Sequence, residues 1–219
     1  MKLNVLLITG GHGFEREPFF AMWQSLAGVT YREVEYPEAE VYFTPERAAE
    51  FDAFVYYDFG QTMSERAHRD FSALLQRGKG MVFLHHALLG HANWPEYVRI
   101  VGGAWIDKER EIDGRVYAPS QYSPNQNVAV QIAQPEHPVT AGVKNFELVE
   151  ETYKNLYIAP DVTPLLTTRN PTSESVLGWV RQHARSRIVY LQPGHGATAF
   201  NDSNYRRLLR QAIEWVAGS

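Results

Sequence analysis

Within its first 90 residues the chain alternates between two kinds of segment, and this alternation restricts the fold more than any other feature. Residues 3–8, 53–57 and 80–84 are short, continuously apolar runs, which read as strands buried on both faces. Residues 29–36 alternate as a further strand. Helical spacing fills the gaps. Phe19, Phe20, Trp23 and Leu26 mark a helix expected over 15–27. Thr44 and Pro45 open a short one, with Thr as N-cap and Pro at the first helical position. Ala67, Phe71, Leu74 and Leu75 share one face of a third, capped by Ser64 and stopped by Gly78. Strands alternating with helices demand a parallel sheet covered on both sides, so the predicted class is α/β.

Beyond Gly90 the pattern loosens. A helix is expected from Asn93 to about Val101, closed by Gly102 and Gly103. Residues 105–127 show little periodicity and much polarity, which marks a functional or mobile segment. Strands are expected over 128–132, 146–153, 163–167, 176–180 and 188–191, partly antiparallel, with a closing helix over 204–216. No repeat or linker interrupts the sequence, so one domain over residues 1–219 is expected.

Composition removes several function classes. The net charge is -4 and no Lys/Arg cluster exceeds two residues, so the basic stripe of a nucleic-acid binder is missing. No cysteine is present, which excludes disulfides, thiolate metal sites and cysteine nucleophiles and fits a reducing, cytoplasmic setting. The apolar run at the N-terminus is too short for a signal peptide, and no stretch approaches the roughly 20 residues of a membrane helix. Neither nucleic acid nor membrane is an expected partner.

The chemistry concentrates in three turns. Gly11-His12-Gly13, Leu84-His85-His86 and Gly194-His195-Gly196 each follow an apolar strand. A parallel sheet can bring such turns to one edge, where ligands bind. Imidazole is both a common metal ligand and the commonest acid/base near neutral pH. One histidine taken alone is most often a satisfied hydrogen-bonding residue, but three of eight at such turns is a pattern. His12, His85 and His195 are therefore the candidate metal ligands or acid/base groups. His86 is second choice, because neighbours on an extended chain point opposite ways. Glu150-Glu151-Thr152-Tyr153 ends a strand-like run and offers Glu151 as the carboxylate, with Tyr153 and Trp105 as pocket walls. Gly11 lets backbone approach a ligand. Asp58 and Glu96 are weaker candidates, and His91 lies close enough to the central turn to stay among them. His68 and His183 read as ordinary surface residues, and His137 as a turn former. There is no G-x-S-x-G elbow, no G-x-G-x-x-G fingerprint and no P-loop.

Several pieces fall in a familiar order: Ile8-Thr9-Gly10-Gly11-His12, Gly80-Met81-Val82-Phe83-Leu84-His85, Trp94 to Gly103, His137-Pro138-Val139-Thr140-Ala141-Gly142, Glu150-Glu151-Thr152-Tyr153 and Tyr190 to His195. Together they resemble the ThuA-like proteins, named for trehalose utilisation, of the class I glutamine amidotransferase-like superfamily. The resemblance implies a flavodoxin-like, three-layer sandwich around a mostly parallel central sheet. It implies that His85 stands where amidotransferases carry their nucleophilic cysteine, so glutaminase activity is not expected. It sets His195 at the late histidine of that fold. It also implies an enzyme of carbohydrate metabolism acting on a disaccharide or keto-sugar derivative, by isomerisation or glycosidic cleavage. On that reading His85, His195 and Glu151 are catalytic. Gly11, His12, His86, Trp105 and Tyr153 contact substrate, and any divalent metal sits on His12, His85 and His195. Two readings stay open beside it: a non-catalytic sugar- or small-molecule-binding protein, and a metal-dependent hydrolase of another substrate. A small sugar and a second copy of the chain are the candidate partners. Residues 108–127 match no pattern of the family and can shape specificity.

Overall fold

Five parallel strands carry the architecture. They are β1 (Leu3–Gly10), β2 (Val29–Glu35), β3 (Ala53–Asp58), β4 (Gly80–Leu84) and, much later in the chain, β13 (Ser186–Leu191). Their order in the sheet is β2-β1-β3-β4-β13. The computed structural model describes residues 2–91, 94–112 and 114–218. The expected helix start at Asn93 lies outside the described residues; the helix itself, α4, covers Pro95–Val101. The other helices are α1 (Arg16–Ser25), α2 (Pro45–Ala48), α3 (Glu65–Gln76), α5 (Ala197–Asn201) and α6 (Ser203–Val216).

Side-chain alternation in these strands builds two cores. Val5 and Leu7 of β1, Val55 and Tyr57 of β3, Val82 and Leu84 of β4 and Val189 and Leu191 of β13 face one cluster, with Phe19, Trp23 and Leu208 from helices α1 and α6. Leu6 and Ile8, Phe54 and Tyr56, Met81 and Phe83, and Ile188 and Tyr190 face the other, with Phe71 and Ile100 from α3 and α4. A strand buried on both faces needs apolar residues at every position, which is why these runs are continuous rather than alternating. Burying each large apolar side chain contributes about 1.5–3 kcal/mol. The result is the expected α/β three-layer sandwich, with a flavodoxin-like strand order.

The second half adds an antiparallel wing. β12 (Val176–His183), β11 (Thr163–Thr167), β8 (Gln121–Ile132) and β9 (Phe146–Lys154) continue the sheet beyond β13. β8 joins β11 only through Leu166–Ile132 and Thr167–Gln131. With so few bonds holding it, the long β8–β9 ribbon folds over the carboxyl ends of β4 and β13. Short strands β5 (Gly103–Ala104) and β10 (Tyr157–Ile158) pair with each other, and β6 (Arg110–Ile112) with β7 (Arg115–Tyr117).

Two expectations need correction here. Residues 105–127 hold β6, β7 and the first half of β8. Most of the β8 residues before Val128 are exposed and polar, so no apolar alternation marks them as a strand. Thr44 stands in the N-cap position, but its side chain makes no capping bond and α2 has four residues. A 3-10 turn over Glu38–Phe43 was not expected from the sequence. Ser64, by contrast, caps α3 by accepting from the Ala67 N–H at 3.1 Å.

Candidate active site

In a doubly wound sheet the crevice opens at the carboxyl ends of the strands, where the strand order reverses. That reversal lies between β1 and β3. The turn Gly10-Gly11-His12 leaves β1, His85 leaves β4 and Gln192-Pro193-Gly194-His195 leaves β13, so all three turns reach this edge. His85 has φ 46°, a left-handed conformation unusual for a residue with a Cβ. It turns the chain sharply from β4 into a 3-10 segment over His85–Leu89. Gly194 has φ 129°, and a Cβ there would sit 2.3 Å from the Tyr205 hydroxyl, so only glycine fits.

His85 is the hub, and it is completely buried. Its Nδ1 lies 2.7 Å from the Gln192 carbonyl oxygen. A carbonyl only accepts, so Nδ1 carries the proton and the lone pair of neutral His85 resides on Nε2. Three groups face that nitrogen. The Tyr153 hydroxyl donates to it at 2.8 Å. His195 Nδ1 lies 3.1 Å away, and Glu151 Oε1 3.5 Å away. The same carboxylate oxygen is 3.8 Å from His195 Nδ1.

The surroundings set the charge of each member. Burial pushes Glu151 up, but its close approach to the His85 and His195 rings outweighs this, so it lies below the usual carboxylate range. Burial, and then His85, push His195 down. Burial raises Tyr153 well above an ordinary phenol, with Tyr190 and Glu151 adding to it, so it remains a donor. At neutral pH the cluster therefore offers a carboxylate, an uncharged His195 and a phenol O–H within one small volume. That set can remove a proton at one atom and stabilise charge at a neighbouring oxygen.

Glu150 does a different job. Its carboxylate accepts from the Gly194 N–H at 2.7 Å and the His195 N–H at 3.0 Å. Burial raises its affinity for a proton, partly countered by His85 and these N–H groups. The register of β9 with β8 shifts between Ser123 and Gln126, opposite this acidic pair, and a bulge of that kind re-aims side chains. So Glu150 anchors the turn that carries His195, while Glu151 addresses the histidines themselves. Replacing Glu150 by Ala is expected to lower stability by about 2–4 kcal/mol, since the N–H groups of Glu151, Gly194 and His195 lose their acceptor. Thermal melts would check this, and Glu150→Gln, which keeps one acceptor oxygen, is expected to lose less.

The remaining predicted residues are placed as follows. His12 is exposed, with its ring 4.9 Å from His86 and 6.3 Å from His195. His86 lies beneath it against Tyr57 at 4.4 Å and is buried. Trp105 meets Tyr153 edge-on at 5.5 Å. A Cβ on Gly11 would collide with the Phe59 carbonyl at 1.9 Å. His91 and Asp58 are both fully buried, 3.2 Å apart, away from the cluster. Glu96 pairs with Arg99, His68 stacks on Trp94, and the His137 ring accepts from the Val139 N–H within its turn.

Among the described residues, the donor atoms close enough to share an ion come from His85, Glu151 and His195, within 4.8 Å of one another. His12 is not in this set. The donors suit a cation that takes nitrogen and oxygen ligands, and the bond from His85 Nδ1–H to a backbone carbonyl is the support such a ligand needs. Two residues of the site carried no separate signal in the sequence: Gln192, which acts through its backbone, and Glu15, which accepts from the Ala197 N–H at the start of α5. A cavity of about 680 Å³ opens beside the cluster, lined by Gly13, Glu15, Asn125, Glu150, Glu151, His195 and Thr198 among others. Among the described residues no lysine or arginine lines it.

A family model described as "ThuA: Trehalose utilisation" matches residues 4–216. A ThuA-like protein from Parabacteroides merdae superposes with a TM-score of 0.79 at 19% identity, over 99% of this chain and 90% of its own. A ThuA-like protein from Bacteroides uniformis gives 0.70 at 21% identity, over 98% and 91%. A cytoplasmic protein from Salmonella typhimurium gives 0.67 at 13% identity, over 98% and 99%. A comparison with curated proteins found no match. Among the described residues no helix is long and apolar enough to cross a membrane.

Proposed function

Since this chain belongs to the ThuA family, described by trehalose utilisation, we propose that it is an enzyme acting on a disaccharide or a keto-sugar derived from one. The observation that carries this reading is the convergence of Glu151, His195 and Tyr153 on the Nε2 of His85. A ketone makes the proton on the neighbouring carbon acidic. Glu151 or a histidine takes that proton, and Tyr153 holds His85 in position by donating to its Nε2. From there isomerisation needs the proton returned to a different carbon, and cleavage needs it delivered to a leaving glycosidic oxygen. His195, uncharged at rest, can take the first proton and as imidazolium deliver it. The chain has no cysteine, and His85 occupies the turn after β4, so thiol acyl transfer is unavailable.

Incubating the protein with a keto-disaccharide in D₂O tests this. Deuterium at the carbon beside the carbonyl, or release of a monosaccharide, is the expected result by NMR. Binding with neither change would instead support a non-catalytic sugar-binding protein, and no binding would sink both. The donor set of His85, Glu151 and His195 favours one second reading, a metal-dependent hydrolase. There a bound divalent ion would supply Lewis acidity and lower the pKa of a water. Stoichiometric metal in the purified protein, with turnover lost on chelation, is the result that would favour it.

A further inference from the structure

The bulge in β8 sets two residues against Glu151. Ser123 pairs with Thr152 and Gln126 with Glu150, so Pro124 and Asn125 share the place opposite Glu151. Asn125 has φ 55°, a left-handed conformation that asparagine tolerates better than most residues with a Cβ. Polar side chains brace the irregular stretch. The Gln126 amide donates to the Pro124 carbonyl at 2.9 Å and the Asn170 amide to the Asn127 carbonyl at 3.0 Å. The Thr172 hydroxyl donates to Gln126 Oε1 at 3.4 Å. Asn125 is exposed, lines the cavity beside the histidine cluster, and has no side-chain partner among the described residues.

That cavity is rich in acceptors and poor in donors. Glu15, Glu150 and Glu151 bring carboxylates to its wall. The backbone N–H groups of Glu151, Gly194 and His195 are already given to Glu150, and that of Ala197 to Glu15. The Thr198 hydroxyl donates to the Val149 carbonyl. The lone pair on His85 Nε2 draws the proton of uncharged His195 to Nδ1, 3.1 Å away, which leaves the other His195 nitrogen an acceptor. Among the described residues, the Asn125 amide is therefore the side-chain N–H group of this wall that the protein leaves free. Sugar hydroxyls donate as well as accept, so carboxylates suit them. A ketone oxygen only accepts, so it needs that amide.

We propose that Asn125 holds the carbonyl oxygen of an oxidised sugar, with the carbon beside that carbonyl over Glu151 and His195. This rests on the keto-sugar reading above. The C–H bond breaks, and its electron pair forms the C=C bond of an enolate. The carbonyl π pair moves onto the oxygen, and the proton goes to Glu151 or His195. The Asn125 amide donates to the oxygen on which charge grows, so it both selects the ketone over the alcohol of the same sugar and lowers the barrier.

Calorimetric titration with trehalose, and with trehalose in which one ring alcohol is oxidised to a ketone, tests the inference. Asn125→Asp is nearly isosteric, suits the backbone at this position, and removes both N–H donors while keeping an acceptor. Its affinity for the keto-sugar is expected to fall about tenfold, and its affinity for trehalose less than about twofold. Asn125→Gly suits the same φ and is expected to lose about as much keto-sugar affinity, which separates the lost donor from the added charge. Deuterium exchange at the carbon beside the carbonyl is expected to slow about 10²-fold in both variants. Wild-type affinity and exchange in either variant, or equal losses for the two sugars, would overturn the role of Asn125 and leave the keto-sugar reading standing. A wild type that neither binds nor exchanges the keto-sugar would overturn that reading, and this inference with it. Thermal melts confirm that each variant is folded.

Discussion

His85→Ala is expected to reduce turnover of the sugar substrate about 10³-fold, within the 10²–10⁴ that positioned acid/base groups contribute. The loss follows from geometry. Tyr153, His195 and Glu151 are all oriented on a single atom, the Nε2 of His85. Without it, each loses the partner that sets its position or its charge state. The Gln192 carbonyl is also left unpaired in a buried setting, at a cost of about 1–3 kcal/mol. That cost would lower the melting temperature, so a second variant is needed. His85→Asn suits the φ of 46° at this position, because asparagine tolerates left-handed backbone. Its amide can still donate toward the carbonyl. Near-wild-type melting with turnover reduced as far as in the alanine variant is the expected result. Wild-type rates in either variant would show that His85 only lines the pocket.

The second large effect is on stability and is read as a dependence on pH. Burial, with His85 and His12 close by, pushes His86 down to about 2. In the unfolded chain a histidine titrates near about 6.5. The folded value is depressed, so its stabilising contribution is present above pH of about 6.5 and is lost as pH falls toward the folded value. Between those limits the unfolded chain takes up a proton that the folded protein refuses. Well below pH 6.5 each pH unit therefore removes about 1.4 kcal/mol, and the loss between pH 6.5 and 4.5 is about 2.3 kcal/mol. Urea unfolding of the wild type and of His86→Leu across this interval isolates the effect. The variant is expected to lose about 2–3 kcal/mol less stability than the wild type over the same two units. The slope is the readout, because the substitution also changes packing against Tyr57. His195 is shifted the same way and contributes to the slope in both proteins. Parallel slopes would mean that His86 takes up protons freely in the folded state.

Much of the site could be read before the fold was known. His12, His85 and His195 stood out because each breaks an apolar run beside glycine, and they do come to one edge of the sheet. What could not be read was their division of labour. His12 sits at the rim and His86 beneath it, while Glu151 joins His85 and His195. Glu150 and Glu151 are adjacent and chemically identical, and nothing local distinguishes the one that holds a loop from the one that faces the histidines. The buried Asp58–His91 pair illustrates the same limit. Its members lie 33 positions apart and meet only because β3 and the loop after the 3-10 turn share a sheet edge.

By itself the amino-acid sequence determined the α/β class, the parallel strands β1, β3 and β4, their covering helices, and the turns that carry histidine. These follow from periodicity and from glycine, which act over a few residues and report which faces are buried. Only the tertiary structure decided that the β8–β9 ribbon, tied to the sheet by two residue pairs, folds over the carboxyl ends of β4 and β13. That fold brings Glu150, Glu151 and Tyr153 to His85 and His195. These contacts span 45 to 68 residues of chain, and such long-range contacts leave no local pattern, because the exposed polar half of β8 needs none.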